Sequence, residues 1–299
     1  MNWSKLFKVA VVGVGALSVV AGASAASAQN TPSGRKLTPD ELDSLQHKHE
    51  GFYGVLAPQN LAKKRPKAPF NLTGTWFIDL NDGFDKYKFG PPYPEFYEAG
   101  QRAFKEAAEA QAKGRNYRDS IGQCWPAGMP MIMTRVWPID MIQLPTAIYM
   151  ISGFMNSVRF IYLDGRDYTP EDEVIPSYNG ESIGHWEGNT LVVKTKYFDT
   201  KNHWIDTGIP ISDKFEITER IKLVGGGKTL EIEYIMTDPN NWKGEWRNTK
   251  RWDRQDYSDI GEVHCLPDLN EHLPGTDAGE AAIERREAAE KAAEAAEKK

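Results

Sequence analysis

Residues 214–238, KFEITERIKLVGGGKTLEIEYIMTD, constrain the fold of this chain more than any other stretch. Phe215, Ile217, Glu219 and Ile221 fall in one phase of a two-residue period. After the GGGK turn, Leu230, Ile232, Tyr234 and Met236 resume it. A period of two sends alternate side chains to opposite faces of a strand, so the stretch predicts a β-hairpin with one buried face. The same reading extends over LTGTWFIDL (72–80), MIMTRVW (131–137), DMIQL (140–144), AIYMISG (147–153) and VRFIYLDG (158–165). TLVVKTKYF (190–198) follows, and EWRNTKRWDR (245–254) is the expected closing strand. About eight or nine short strands at this spacing predict one mainly β, antiparallel barrel or sandwich.

One helix interrupts the pattern. PEFYEAGQRAFKEAAEAQAKG (94–114) sets Phe96, Tyr97, Phe104 and Ala108 near one stripe and ends at a glycine suited to a C-cap. It falls in a long insertion, about 81–130, after the first strand, and insertions of that length commonly act as lids or plugs.

The two ends differ from this core. Lys5 and Lys8, the apolar run Val9–Ala23 and Ala26-Ser27-Ala28 form a secretory signal peptide over residues 1–28. The run is shorter than the roughly 20 apolar residues of a membrane span, so no span is expected after cleavage. Residues 29–69 read as a Pro- and Lys-rich extension with one short helix capped by Thr38. Residues 70–270 form the β domain. Residues 271–299 are a charged helical tail, almost all Ala, Glu, Lys and Arg at its end. Loss of Lys5 and Lys8 takes the formal charge from −6 to −8, without a basic stripe, which argues against nucleic acid as a partner. The only two cysteines, Cys124 and Cys265, read first as one disulfide in an oxidising compartment; two buried thiols or one reactive thiol are the alternatives.

The chemistry-bearing residues gather in three places. In SIGHWEGNTL (182–191), EGN is a tight turn, so His185 and Glu187 share one strand face while Gly184 and Trp186 share the other. A histidine and a carboxylate two apart serve as an acid/base pair or as a plain hydrogen-bonded pair. In RFIYLDGRDY, Arg159, Asp164 and Arg166 surround an Asp-Gly hairpin signal; Arg166 is suited to clamp an anion, with Asp164 orienting it. FDTKNHWIDTG brings Asp199, His203, Trp204 and Asp206 onto one loop, the kind of segment that lines barrel mouths. Met129, Met131 and Met133 fit core filling better than a copper site. No metal and no cofactor is implied, since HExxH, CxxCH and phosphate-loop spacings do not occur.

DGR (164–166), GESIGHWEGNTLVVKTKYFD (180–199), GIPISDKFEITERI (208–221) and YIMTDPNNW (234–242) resemble an uncharacterised family of exported bacterial proteins. That family's pattern is an Arg-containing strand, Asp-Gly-Arg, Gly-x-Ser-x-Gly-x-Trp-Glu-Gly-(Asp/Asn)-Thr-Leu-Val-Val and later Ser-Asp, Glu-Arg and Asp-Pro pairs. Asn189 stands where an aspartate is usual and Ile211 where a histidine often precedes Ser-Asp. A second, smaller resemblance is to lipocalin-like (calycin) barrels. NLTGTW (71–76) is similar to their opening Gly-x-Trp, which implies that Trp76 plugs the barrel base with a late arginine, Arg251, stacked across it.

The sequence therefore predicts a lipocalin-like antiparallel barrel with a helical insertion, exported to the periplasm or beyond. Two functions compete. The first is binding of a small apolar or aromatic molecule, since barrels of about eight strands enclose one small ligand; Arg159, Trp186, Asp199, His203 and Trp204 are its contacts. The second is a cofactor-independent lyase, isomerase or hydratase, with His185 as acid/base, Glu187 or Asp164 orienting it, and Arg166 stabilising an anion. No oligomeric state follows from the sequence.

Overall fold

The computed structural model describes residues 36–44, 52–81, 83, 87–114, 122–269, 272 and 277–297. The expected signal peptide, residues 1–28, lies outside them. The chain divides into two compact units, Met1–Lys48 and His49–Lys299. In the first, helix α1 (Pro39–Ser44) opens on a reciprocal cap. Glu41 N donates to Thr38 Oγ1 (3.2 Å), and Thr38 N donates to Glu41 Oε2 (2.8 Å). This is the Thr-x-x-Glu capping box.

The second unit begins with helix α2 (Pro58–Leu61) and strand β1 (Gly74–Ile78). The insertion follows, with β2 (Glu95–Phe96) and helix α3 (Glu98–Ala112). Then come β3 (Ile139–Gln143), β4 (Ala147–Ser152), β5 (Val158–Tyr162), β6 (Glu181–Glu187) and β7 (Thr190–Lys196). A short pair, β8 (Trp204–Asp206) and β9 (Ile209–Pro210), precedes the long hairpin β10 (Glu216–Val224) and β11 (Thr229–Thr237). Last are β12 (Trp242–Lys243), β13 (Glu245–Gln255) and helix α4 (Asp277–Glu297). Nine strands close into a barrel in the order β1-β13-β11-β10-β7-β6-β5-β4-β3, with β3 returning to β1. The fold is the mainly β barrel that the alternation predicts.

Two local expectations are corrected. Asp164-Gly165 does not make a hairpin, because β5 runs parallel to β6 through Ile161↔Ser182 and Tyr162↔Ile183. A parallel neighbour requires a crossover rather than a tight turn. Residues 163–180 supply it, beginning where Arg166 folds back to chelate Asp164 and stack on Tyr162. MIMTRVW is not a strand either. Gly128 takes φ +65° and Pro130 has no N–H to donate, so local turns win: Met131–Thr134 form one 3-10 turn. Ile132 N bonds Gly128 O at 2.7 Å and Met133 N bonds Pro130 O at 2.9 Å.

Along β6 and β7 the two-residue period holds as read. Glu187 pairs with Thr190 across a turn in which Gly188 takes φ +56°. Gly184 faces inward at a crowded point, where a Cβ would come within 2.9 Å of Leu163 Cδ2 and 3.2 Å of Ile161 Cγ2.

The barrel is filled. Trp76, Trp246, Trp252, Tyr234, Leu230 and Ile232 enter from β1, β11 and β13, and Leu191, Val193 and Ile217 from the other side. Phe89 and Met129 of the insertion, with Ile132 and Met133 of the 3-10 turn after it, are also fully buried, so this segment plugs one mouth. At the base, Trp76 Nε1 donates to Leu72 O (2.9 Å), and an arginine guanidinium stacks 4.3 Å above its ring. That arginine is Arg254, not Arg251. Arg254 is the direct strand partner of Trp76 and so shares its face. Arg251 lies in the outward phase and pairs with Glu231 at 2.7 Å. Gly74 leaves the room that Arg254 occupies.

Cys124 and Cys265 are joined in a disulfide with Cα atoms 5.4 Å apart, tying the insertion to the segment after β13. No helix among the described residues is long and apolar enough to cross a membrane.

Candidate functional site

The β6–β7 hairpin puts His185 and Glu187 on the outer barrel face. His185 Nε2 lies 3.2 Å from Glu187 Oε1, and Arg220 of β10 donates to Glu187 Oε2 at 3.0 Å. The Arg220 and His185 contacts hold the Glu187 carboxyl below its ordinary pKa. The His185 side chain is 65 % exposed. On the inner face, Trp186 is half-buried, with its ring edge-on to Phe70 at 4.8 Å.

Asp164 and Arg166 form a separate, buried pair that engages the N-terminal extension. Arg166 donates from Nε and Nη2 to Asp164 (2.9 and 2.7 Å), and its guanidinium lies 4.0 Å over the Tyr162 ring. Asn60 Nδ2 donates to Asp164 Oδ2 at 3.0 Å and also reaches the carbonyls of Tyr53 and Gly54. Burial raises the Asp164 pKa, but the Arg166 and Asn60 hydrogen bonds outweigh it and the carboxyl ends below its ordinary value. Asp-Gly-Arg thus fastens residues 52–60 to the barrel, helped by Thr146 Oγ1 donating to Val55 O. The four residues of the acid/base reading stand as two pairs and do not share one pocket.

His203 is buried with both ring nitrogens on backbone carbonyls, Nδ1 to Asp199 O (2.7 Å) and Nε2 to Met129 O (2.9 Å). Burial pulls its pKa below the ordinary value, offset in part by those two oxygens. Gly128 permits the approach, since a Cβ there would lie 2.5 Å from His203 Nε2. The Asp199 carboxylate is turned away, accepting from Lys201 N at 2.9 Å. Trp204 is buried in the core. This trio locks the plug to the loop before β8.

Arg159 has another setting. It points into the barrel, where its guanidinium meets Glu219 in a two-pronged ion pair and donates to Ser182 Oγ (3.0 Å) and Thr195 Oγ1 (2.9 Å). Tyr234 stands beside Glu219 as its direct strand partner, with its hydroxyl buried and unpaired. Burial and the Glu219 charge push that phenol far up. Arg159, Ser182 and Glu219 come from three separate quoted motifs and meet only here. The Ser-Asp and Asp-Pro pairs also converge. Buried Asp238 accepts from Ser212 N (2.8 Å), Ser212 Oγ (2.6 Å) and Asn241 Nδ2 (2.8 Å), fixing the β11–β12 turn. Ile211 packs in the core next to it.

A cleft opens at the plugged mouth, between α3, the β8–β9 turn and the segment around Lys88. Its volume is about 150 Å³. Tyr93, Phe104, Ala107 and Ile209 line it with apolar surface, and Lys88 and Asp206 add charged groups. The helix sits close because Gly208 (φ +80°) has no Cβ, which would otherwise reach Ala107. Burial raises the Asp206 pKa against the pull of a Thr207 N–H (2.7 Å) and the charges of Lys88, Arg135 and Lys250. Tyr93 is raised by burial and then by Asp206. Lys250, buried in the inward phase of β13, donates from Nζ to Lys88 O, and burial brings its pKa down to about 8. Perturbed groups gathered at a cleft mark functional sites more often than isolated ion pairs do.

Glu219, Ser182, Thr195, Tyr234 and Lys250 were not among the sequence candidates. Their signal is a polar residue in an apolar phase: Glu219 between Ile217 and Ile221, and Lys250 between Trp246 and Trp252. No family model matches the chain, and no curated protein matches it.

Proposed function

We propose that this is an exported, periplasmic protein that binds one small aromatic molecule at the barrel mouth. The carrying observation is the cleft of about 150 Å³ lined by the Tyr93 and Phe104 rings together with Asp206 and Lys88. A cavity of roughly that volume holds one benzene-sized ring. The polar side suits a ligand with a carbonyl, hydroxyl or similar head. Export is supported by the charged, apolar and small-residue segments of residues 1–28 and by a disulfide, which persists in oxidising compartments. Binding is preferred to acid/base chemistry at His185 because that histidine faces solvent.

The test is calorimetric titration with benzyl alcohol and phenol. Seven or eight heavy atoms at roughly 0.5 kcal/mol each correspond to a Kd of about 1–3 mM. Ala108→Trp, on the exposed side of α3, fills the cleft without entering the core. Loss of binding in that variant, with an unchanged circular dichroism spectrum, supports the reading. Equal affinity in both proteins, or no binding by the native chain, refutes it.

A further inference from the structure

We propose that the outer face of β3, β4 and β5 is an interface at which two copies of this chain pair. The side chains pointing outward from these strands form two cross-strand rows, Ile142–Tyr149–Phe160 and Asp140–Ile151–Val158. Ile142, Phe160 and Val158 are 45, 41 and 39 % exposed, and Tyr149 lies edge-on to Phe160 at 5.1 Å. Asp140, the one charged side chain in the two rows, accepts a hydrogen bond from Thr75 Oγ1 at 2.6 Å. The rest of the barrel wall is built differently. Ion pairs lace the outward side chains of β6, β7, β10, β11 and β13. They are Lys194–Glu216 (2.8 Å), Arg220–Glu187 (3.0 Å), Arg247–Glu233 (2.8 Å) and Arg251–Glu231 (2.7 Å). A sheet face turned to water carries polar residues, as that wall does. Loss of charge and gain of aromatic and aliphatic carbon, as on β3–β5, is the composition of an interface core.

Residues 52–60 cover one end of this face and leave the two rows bare. Thr146 Oγ1 donates to Val55 O, Arg166 stacks on Tyr162, and Phe52, 41 % exposed, lies 5.7 Å from that guanidinium. At the other end Trp137, 39 % exposed, packs 6.4 Å from Phe154 of the β4–β5 turn. With about two-fifths of Phe52, Trp137, Phe160, Ile142 and Val158 in solvent, the face exposes roughly 400 Å² of apolar side chain. Two such faces, at an apolar share of about 65 %, make a contact of roughly 1,200 Å², the lower end of specific association. Charge favours a second copy as the occupant. The chain carries a formal charge of −6, so copies repel one another over most of their surface, and this face, with Asp140 alone, is where they can approach. The same lack of charge gives an unlike partner nothing to steer by. An apolar patch that serves as its own complement closes by two-fold symmetry into a dimer.

The experiment is sedimentation velocity on the exported chain with its disulfide intact, over about 1–300 µM. Monomer and dimer should exchange with a Kd of about 10–100 µM, a weak value suited to a contact of this size. Phe160→Glu and Ile142→Lys, both at exposed outward positions, should each raise that Kd at least about ten-fold with an unchanged circular dichroism spectrum. Either variant suffices if the other fails to fold. Lys222→Gln, exposed on the ion-paired wall, should leave the Kd unchanged. Salt raised from about 0.05 to 0.5 M should preserve or tighten the dimer, because it screens the repulsion between two net-negative copies. A chain still monomeric at about 300 µM overturns the proposal. So does a dimer that salt dissociates or that neither β3–β5 variant weakens, since the contact would then lie elsewhere. Neutral phosphatidylcholine vesicles test the other occupant. Vesicle binding that Phe160→Glu abolishes, with no dimer in solution, assigns the face to lipid and also overturns the pairing.

Discussion

Removing one member of the Arg159–Glu219 pair should cost far more than removing both. Arg159 is 2 % exposed and Glu219 is fully buried, so neither charge can be recovered by water if its partner is deleted. Glu219→Leu leaves a guanidinium inside the barrel with only the Ser182 and Thr195 hydroxyls, and Arg159→Met leaves a bare carboxylate beside Tyr234. Each single change should lower stability by about 3–5 kcal/mol, the usual cost of an uncompensated buried charge. The double variant replaces the pair with apolar groups of similar length, and Ser182 and Thr195, 2.9 Å apart, satisfy each other. It should lie within roughly 2 kcal/mol of the native protein, because desolvating two charges offsets most of their attraction. The coupling is then about 4 kcal/mol or more, above the usual range for neighbouring residues. Urea unfolding of all four proteins, followed by tryptophan fluorescence with the disulfide intact, measures it. A double variant that loses the sum of the singles refutes the reasoning, as does either single variant costing under about 1 kcal/mol.

Trp186→Ala should cost roughly 1.5–3 kcal/mol in the same assay, less than a fully buried tryptophan, because its ring is only half covered and packs edge-on to Phe70. His185→Ala should leave the unfolding midpoint unchanged, since its side chain is largely in solvent. Reduction of Cys124–Cys265, which spans 141 residues, should lower stability by about 5 kcal/mol on chain-entropy grounds, and non-reducing peptide mapping should find the linked pair. Lys250→Met should be more stable than the native chain at neutral pH, by about 2 kcal/mol after allowing for solvent screening. Between about pH 8, the folded pKa, and 10.5, the ordinary one, the unfolded chain holds more protons, so native stability rises with pH and the difference disappears above 10.5. A difference that does not change with pH in denaturation curves from about pH 7 to 11 rejects that account.

Most of the barrel was legible because alternation is local. Ile217, Ile221, Leu230 and Ile232 report a buried face regardless of which strands adjoin it, and β10 and β11 pair in the register that their shared phase requires. The parallel contact of β5 with β6 was not legible in that way. Asp164-Gly165 carries the local signature of a hairpin, but the chain crosses over to a parallel neighbour, and the distant Asn60 reaches Asp164 from the extension. Arg254 is a milder case. Trp76 called for a late arginine, and strand parity separates Arg254 from the outward Arg251, but only once the partner register is known.

The site divides along the same line. Arg159, Ser182 and Glu219 each break an apolar phase on their own strand, so each can be read as a buried polar group before any contact is known. A charge in that phase must be paired or be functional, because its isolated burial is prohibitive. Glu219 is answered fully by Arg159, which makes the interior cluster a structural centre around which β5, β6, β7 and β10 agree. Lys250 breaks the phase of β13 in the same manner, and its Nζ donates to the Lys88 carbonyl. Asp206 acts on it only through the field at the cleft wall, and the lysine's pKa stays depressed. The location of that cleft depends on where α3 lands on Gly208, a contact between residues about a hundred positions apart that no periodicity encodes. Two charged residues in the inward phase thus meet different partners, a two-pronged ion pair for Glu219 and a backbone carbonyl for Lys250. The first holds four strands together, and the second ties β13 to the segment around Lys88, which lines the cleft.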